Sequence, residues 1–428
     1  MSGVDKVVIP LVRRIGQTPK LSDAIFRFAR YNPFDPQRYR WPYPIYDAMS
    51  AGRPVVYSRV FKDWTVFGHD EVLDVMRSTD VSTAGVVNRI RSISPYKRLS
   101  ERAIGNFSKW MLFLDPPDHS RLRSAVSRTF TPKRVAEHEP RVRAIVDELL
   151  AGMAAEQAPD VVAGFASPLP VFVIADILGV PCDRFEWLHH ASAEIAGLLD
   201  IMRPFDPTSM NRRFDELHDE FSELIEHRRG SPRDDLISAL VNDPDSELSS
   251  DDIVALITVL MFAGHETTTA LLGNSIVALA EHVDQRALLR EQPDLVDNAV
   301  EELLRYDSPA QIAVRTTTAA VRAGATTIPA GANVALMIGA ANRDRRRWPD
   351  ADQLRLDRID PKPISFGSGI HHCLGAALTR LEMRVALPAF LNAFGNYTVD
   401  HQTVTWKQTA TLRGPTHLQV NTRRAKVS

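Results

Sequence analysis

The chain has 428 residues, of which 44% are apolar and 24% charged. This composition fits a folded protein with a large core and excludes a disordered chain. The formal net charge of −2 gives no electrostatic case for nucleic acid, and two cysteines, Cys182 and Cys373, exclude a disulfide scaffold or a paired zinc site.

Residues 1–30 read as an N-terminal extension, and residues 31–428 read as one large domain. The apolar stretch at 7–12 is too short for a signal-peptide core. Period-two alternation predicts strands at 54–58 and 64–67. Apolar residues at three- and four-residue spacing predict helices at 142–153, 171–178, 183–199, 214–229 and 295–306. Strand signals return at 326–328, 333–337 and 403–406. The sum is a mainly α protein with small β-sheets, rather than an alternating βαβ chain.

The longest predicted helix opens on Ser249-Ser250-Asp251-Asp252 and runs to about His282. At 1.5 Å per residue it spans about 45 Å, so it crosses the interior. Its apolar run ends at His265 and Glu266, short of the roughly 20 residues a membrane span needs. No transmembrane segment and a reducing, cytoplasmic compartment are therefore expected.

The segment Phe366-Gly367-Ser368-Gly369-Ile370-His371-His372-Cys373-Leu374-Gly375 carries the most chemistry. Two glycines let the backbone approach a flat object closely. Cys373 opens a helical run at 374–390, where free N–H groups and the helix dipole favour a thiolate. A thiolate in such a loop suits a haem iron. A buried structural thiol explains the cysteine but not the glycines. Zinc lacks ligand spacing here, and a cysteine nucleophile lacks an orienting carboxylate. Cys182 reads as an inert thiol.

This stretch resembles the haem-binding signature F-G-x-G-x-H-x-C-x-G of the cytochrome P-450 family, and four further places match in order. The resemblance implies a single P-450 domain around a long central helix, with haem b (iron protoporphyrin IX) on the Cys373 thiolate. Phe366, Gly367, Gly369 and Gly375 would shape the cofactor's bed. In Ala263-Gly264-His265-Glu266-Thr267-Thr268, the small pair Ala263 and Gly264 would leave room for O2 and substrate. Thr267 would hydrogen-bond oxygen, and Glu266 would relay protons. His265 reads as structural, and a back-bonded Thr267 in a kinked helix is the plain alternative. Glu302 and Arg305, with Arg358, would form a buried ion network of structural role. His119, Arg123, Arg315 and His371 would hold the haem propionates.

The implied reaction inserts one oxygen atom of O2 into a hydrophobic small molecule of lipid, terpenoid, steroid or polyketide class. No G-x-G-x-x-G follows a strand, so electrons are expected from a ferredoxin and an NAD(P)H-dependent reductase. Arg121, Arg128 and the cluster 343–347 are the expected docking cations. Segments 81–113, 171–210, 259–267, 311–313 and 409–412 are expected to line the pocket. Arg91, Lys97, Arg98 and Arg102 suggest a carboxylate-bearing lipid. A peroxide-driven peroxygenase and a non-catalytic ligand-sequestering or sensor protein are the alternatives, and the Glu266-Thr267 pair counts against both.

Overall fold

The computed structural model describes residues 40–422 apart from 60–61, 92–95, 157, 200–204 and 246. The N-terminal extension at 1–30 therefore lies outside the described residues. The principal helices are α1 (Asp118–Ser127), α2 (Glu139–Ala154), α3 (Pro168–Leu178), α4 (Phe185–Ala196), α5 (Pro207–Gly230), α6 (Ser250–Glu281), α7 (Val296–Tyr306) and α8 (Ala376–Phe394). Strands β1 (Val55–Ser58), β2 (Asp63–Val66), β3 (Val81–Ser82), β4 (Ala313–Thr317) and β7 (Asn333–Leu336) form one sheet in the order β1-β2-β7-β4-β3. Only β2 and β7 pair in parallel. Three two-stranded ribbons complete the β structure: β5 (Val321–Ala323) with β6 (Thr326–Ile328), β8 (Tyr397–Val399) with β11 (Val420–Thr422), and β9 (Thr405–Trp406) with β10 (Pro415–His417).

Helix α6 begins where its sequence dictates. Ser249 caps it, and Asp252 returns the bond to the Ser249 N–H in a capping box. The helix is long and apolar enough to cross a membrane, but 83% of its most apolar window is buried inside the protein. Helices α2, α3, α4, α5 and α8 surround it through one apolar cluster. The β9–β10 ribbon lies directly on α6. A Cβ at Gly414 would sit 2.5 Å from Ala270 Cβ, and one at Gly273 would sit 2.5 Å from Pro415 Cγ. Any side chain at either position would push the ribbon away.

Glu302 and Arg305 on α7 are wholly buried, with Arg358 nearly so. The Glu302 carboxylate accepts from Arg305 Nε at 2.7 Å and from Arg358 Nε at 3.0 Å. Arg305 also donates to the carbonyls of Asn342, Ala351 and Gln353, and Arg358 donates to Asp350 at 2.6 Å. Each buried charge is therefore paired and its remaining hydrogens are used, as burial of an ion requires. The same region clamps the cysteine loop. Ser365 Oγ donates to Leu304 O at 2.8 Å, and Asn342 holds both Ser365 Oγ and the Ile364 N–H.

Removing the carboxylate would strand two guanidinium groups. We expect Glu302→Ala to lose about 3–5 kcal/mol of unfolding free energy in denaturant titrations followed by circular dichroism. Arg345→Ala, which breaks an exposed pair with Asp352, should lose less than about 1 kcal/mol.

Candidate haem-thiolate active site

Between residues 252 and 279 of α6, every residue is buried except Ala263, Gly264 and Thr267. Ala263 and Thr267 are one turn apart, so the interior helix faces open space at one place. Thr267 Oγ1 donates to the Ala263 carbonyl at 2.9 Å, and the helix runs unbroken through the segment. A Cβ at Gly264 would meet Ile174 Cγ1 on α3 at 3.4 Å, an ordinary van der Waals distance, so the packing of α3 on α6 does not itself demand glycine there. Gly264 is partly exposed beside Ala263, on the side where α6 is open.

The cysteine loop turns twice in the left-handed region, at Gly367 (φ +70) and Gly369 (φ +71). At Gly369 a Cβ would also meet Met76 O at 2.6 Å, so only glycine fits. The Cys373 N–H donates to Phe366 O at 2.8 Å and closes the loop. The Phe366 ring lies under the Arg380 guanidinium at 4.5 Å, and Arg380 is held by Glu301. Beside Gly375 there is open space where a side chain would go. Helix α8 starts at Ala376, with Gly375 as its N-cap residue. The helix predicted from 374 thus begins later and ends later. Burial pushes the Cys373 thiol up, against the pull of the Gly375 N–H, Arg123 and Arg380. The Gly375 N–H favours the thiolate, as expected at this helix start, and burial opposes it.

Four basic side chains gather near this loop. His119 and Arg123 lie one turn apart on α1, Arg315 lies on β4, and His371 lies in the 3-10 turn Gly369–His371. The His119 and His371 rings are 4.5 Å apart. Burial pulls His371 down to about 3, helped by Arg315 and His119. Burial also pulls Arg315 down to about 10, with only partial relief from Asp115. Arg315 makes no ion pair within 4 Å among the described residues; its Nη1 donates to Val314 O at 2.8 Å. His119 Nε2 is buried with no partner. Arg123 is partly spent, donating to the His372 carbonyl at 2.7 Å. Asp115 is committed to Ser82 and Thr83. This cluster lacks an anion, and a buried cation without one is costly.

The other buried polar group is Glu266, bonded to Lys407 of the β9–β10 ribbon. Burial raises this carboxyl, but Lys407 and other neighbours outweigh it and hold it below the usual range. His265 Nδ1 lies 3.7 Å from Glu266 Oε1. Burial depresses His265 to about 4, so it is neutral at pH 7 and Lys407 is the true counter-charge.

The Cytochrome P450 family model matches residues 64–421. The chain belongs to the cytochrome P450 family. It is 45% identical over 65% of its length to the vitamin D(3) 25-hydroxylase of Pseudonocardia autotrophica, covering 68% of that protein. It is 36% identical over 83% of its length to the 6-deoxyerythronolide B hydroxylase of Saccharopolyspora erythraea, covering 89% of that enzyme. Its fold superimposes on P450BioI, solved with an acyl carrier protein ligated to hexadec-9Z-enoic acid, at a TM-score of 0.84. That match has 31% identity and covers 91% of this chain and 99% of the other. The chain is an oxygen-incorporating oxidoreductase of the P450 monooxygenase class.

Within the P450 framework, several sequence expectations change. The cluster at 343–347 is not a free cationic face. Arg343 is buried under three aromatic rings and donates to Tyr306 O. Arg345 pairs with Asp352, and Arg346 pairs with Glu71 and Asp344. Arg121 is bonded to Asp252, whereas Arg128 is exposed. Arg102 pairs with Asp215 at 3.0 Å rather than standing free for a substrate carboxylate. Gln311 is buried and holds Tyr46 and Ser308. Parts of the expected lining at 81–113 and 171–210 lie outside the described residues. Sequence reasoning missed Lys407, which lies 141 positions from Glu266 in no motif. It also missed Glu382 on α8, a carboxyl with an orphan Oε1 that burial pushes up to about 8. Its only signal was a lone acid in the apolar run Leu381-Glu382-Met383.

The neutral His265 has a pH consequence. Burial holds its folded pKa at about 4 against the ordinary histidine value of 6.5, so between these values the unfolded chain binds more protons. Its contribution is complete above pH 6.5 and is lost as pH falls toward 4, a loss of roughly 3 kcal/mol. We expect His265→Gln to show a shallower fall in unfolding free energy over that window than the wild type.

Proposed function

We propose that Cys373 is the thiolate ligand of haem b, and that His119, Arg123, Arg315 and His371 hold its two propionates. The observation that carries this reading is the missing anion: among the described residues, Arg315 is buried without an ion pair and His119 Nε2 is buried without a partner. A dianion placed among them would satisfy both. The raised thiol fits as well. Burial keeps the sulfur protonated until a cation binds, and a coordinating metal deprotonates it outright.

When bound, haem supplies the hard chemistry, activating O2 with two electrons and two protons so that one oxygen atom enters a C–H bond. The chain supplies the rest. Gly367 and Gly369 supply the loop's two left-handed turns, and Gly375, beside which a side chain would meet only open space, would keep the backbone bare toward the cofactor. The Asn342–Ser365 clamp fixes the height of Cys373. Ala263 leaves room on the opposite side, where α6 opens. Thr267 Oγ1 offers a hydroxyl there, parked on the Ala263 carbonyl. Glu266, ionised beside Lys407, accepts and passes protons.

The substrate is a bulky, largely apolar and uncharged molecule. This rests on similarity to a vitamin D(3) hydroxylase and a macrolide-precursor hydroxylase, and on the neutralisation of Arg102. Electrons come from a ferredoxin and an NAD(P)H-dependent ferredoxin reductase, with exposed Arg128 at the docking face.

The reduced carbon monoxide difference spectrum should show a thiolate-ligated haem in the wild type and lose it in Cys373→Ser; identical spectra would overturn the ligand assignment. With a surrogate ferredoxin pair, Glu266→Gln should lower turnover by at least about tenfold. Thr267→Ala should divert NADPH electrons into hydrogen peroxide. Titrations of the Soret band should respond to vitamin D3 or 6-deoxyerythronolide B. A response to hexadecenoic acid alone would overturn the substrate class.

A further inference from the structure

Three helical segments together send four polar groups to one region beside Glu266. Ser167 precedes α3, His189 and Ser192 share a face of α4, and His265 lies on α6. The His189 Nε2 nitrogen lies 2.6 Å from Ser167 Oγ. Ser167 Oγ lies 2.9 Å from His265 Nε2. On its far side, His265 Nδ1 lies 2.9 Å from Ser192 Oγ and 3.7 Å from Glu266 Oε1. Ser167, Ser192, His265 and Glu266 are buried, while His189 is partly open to solvent. His190 and Glu186 of α4 flank His189 electrostatically, and Lys407 acts on the whole group.

We propose that His189, Ser167 and His265 form a relay: hydrogen bonds lead protons from the surface to His265, and His265 Nδ1, bonded to Ser192 and 3.7 Å from Glu266 Oε1 in this structure, passes its proton to Glu266 when that gap closes to hydrogen-bond range. The relay rests on the monooxygenase reading of Glu266 and names its proton source. The Ser167 hydroxyl has one hydrogen and stands between two imidazole nitrogens, so it donates to one and accepts from the other. Glu266 decides the direction. Its negative charge favours hydrogen on His265 Nδ1, which leaves Nε2 to accept from Ser167, and Ser167 then accepts from His189 Nε2–H. One proton taken up at His189 Nδ1 moves Nε2–H to Ser167, the Ser167 hydrogen to His265 Nε2, and the Nδ1 hydrogen to Glu266. One proton enters and one leaves, and no ring becomes charged at the end. Both imidazoles are held neutral by burial, the state in which a ring donates at one nitrogen and accepts at the other.

The same bonds also staple α4 to α6, so the test separates transfer from stapling. The probe is the solvent exchange rate of the His265 ring N–H. It is read by nitrogen NMR on histidine-labelled holoenzyme in the reduced, carbon monoxide-bound form. Ser167→Ala and His189→Phe should slow exchange about tenfold or more, the cost of one missing link. His189→Gln keeps a hydrogen-bonding group opposite Ser167 but does not pass a proton in this way. It should melt at the wild-type temperature and still exchange slowly. In turnover with a surrogate ferredoxin pair, all three variants should release several-fold more peroxide per product. Wild-type exchange rates in Ser167→Ala and His189→Gln would overturn the relay, as would fast exchange in His189→Gln alone. Slow exchange in variants of a protein with no turnover would leave the relay standing and remove the monooxygenase reading instead.

Discussion

Glu302 lies where water does not reach and carries a full negative charge between two guanidinium groups. Such an arrangement is stable only if every partner is present, and here the remaining hydrogens of Arg305 go to three carbonyls. An apolar core tolerates small slips, because contact is roughly proportional to area. A charge network does not, because a displaced partner strands an ion. The cysteine loop is attached to this unforgiving part of the fold. Asn342 gives its carbonyl to Arg305 and its side chain to Ser365 and Ile364, so the network's rigidity reaches to within a residue of Phe366.

The cationic cluster around His371 is the opposite case. It is buried by the same fold, yet its basic groups face one another and lower one another's affinity for protons. The nearby carboxylate of Asp115 is turned to Ser82, Thr83 and Ala84. The fold completes Glu302 with care, yet among the described residues Arg315 has no ion pair and His119 Nε2 has no partner. Structural networks are closed among their own residues; a binding network is closed by its ligand.

What the sequence revealed follows the range over which each signal acts. The bounds of α6 were legible because Ser249 and Asp252 cap it within one turn. The cysteine loop was legible because φ > 0 at Gly367 and Gly369 is written in the residue type itself. The later start of α8 was missed because Gly375 occupies the N-cap position, which a run of apolar residues does not reveal. Lys407, Ser167 and Ser192 were invisible because their partners lie far away in sequence. Each acquires meaning only when the β9–β10 ribbon, α3 or α4 is laid on α6, and no local pattern records that contact. The arginines at 343–347 show the converse error, since a run of charge in sequence says nothing about which members find partners.

Glu266 shows how these strands of argument meet in one side chain. A carboxylate in the interior needs a counter-charge to be ionised at all, and Lys407 supplies one through a ribbon held against α6 by Gly273 and Gly414. Had His265 carried a second positive charge, the site would hold two cations against one anion, and proton transfer to the carboxylate would be opposed. Burial keeps His265 neutral instead, so the carboxylate retains one fixed counter-ion and one neighbour free to donate. The close contact that requires glycine at 273 and 414 is therefore also an electrostatic requirement: the ribbon supplies the counter-charge of Glu266, and the histidine beside it stays neutral.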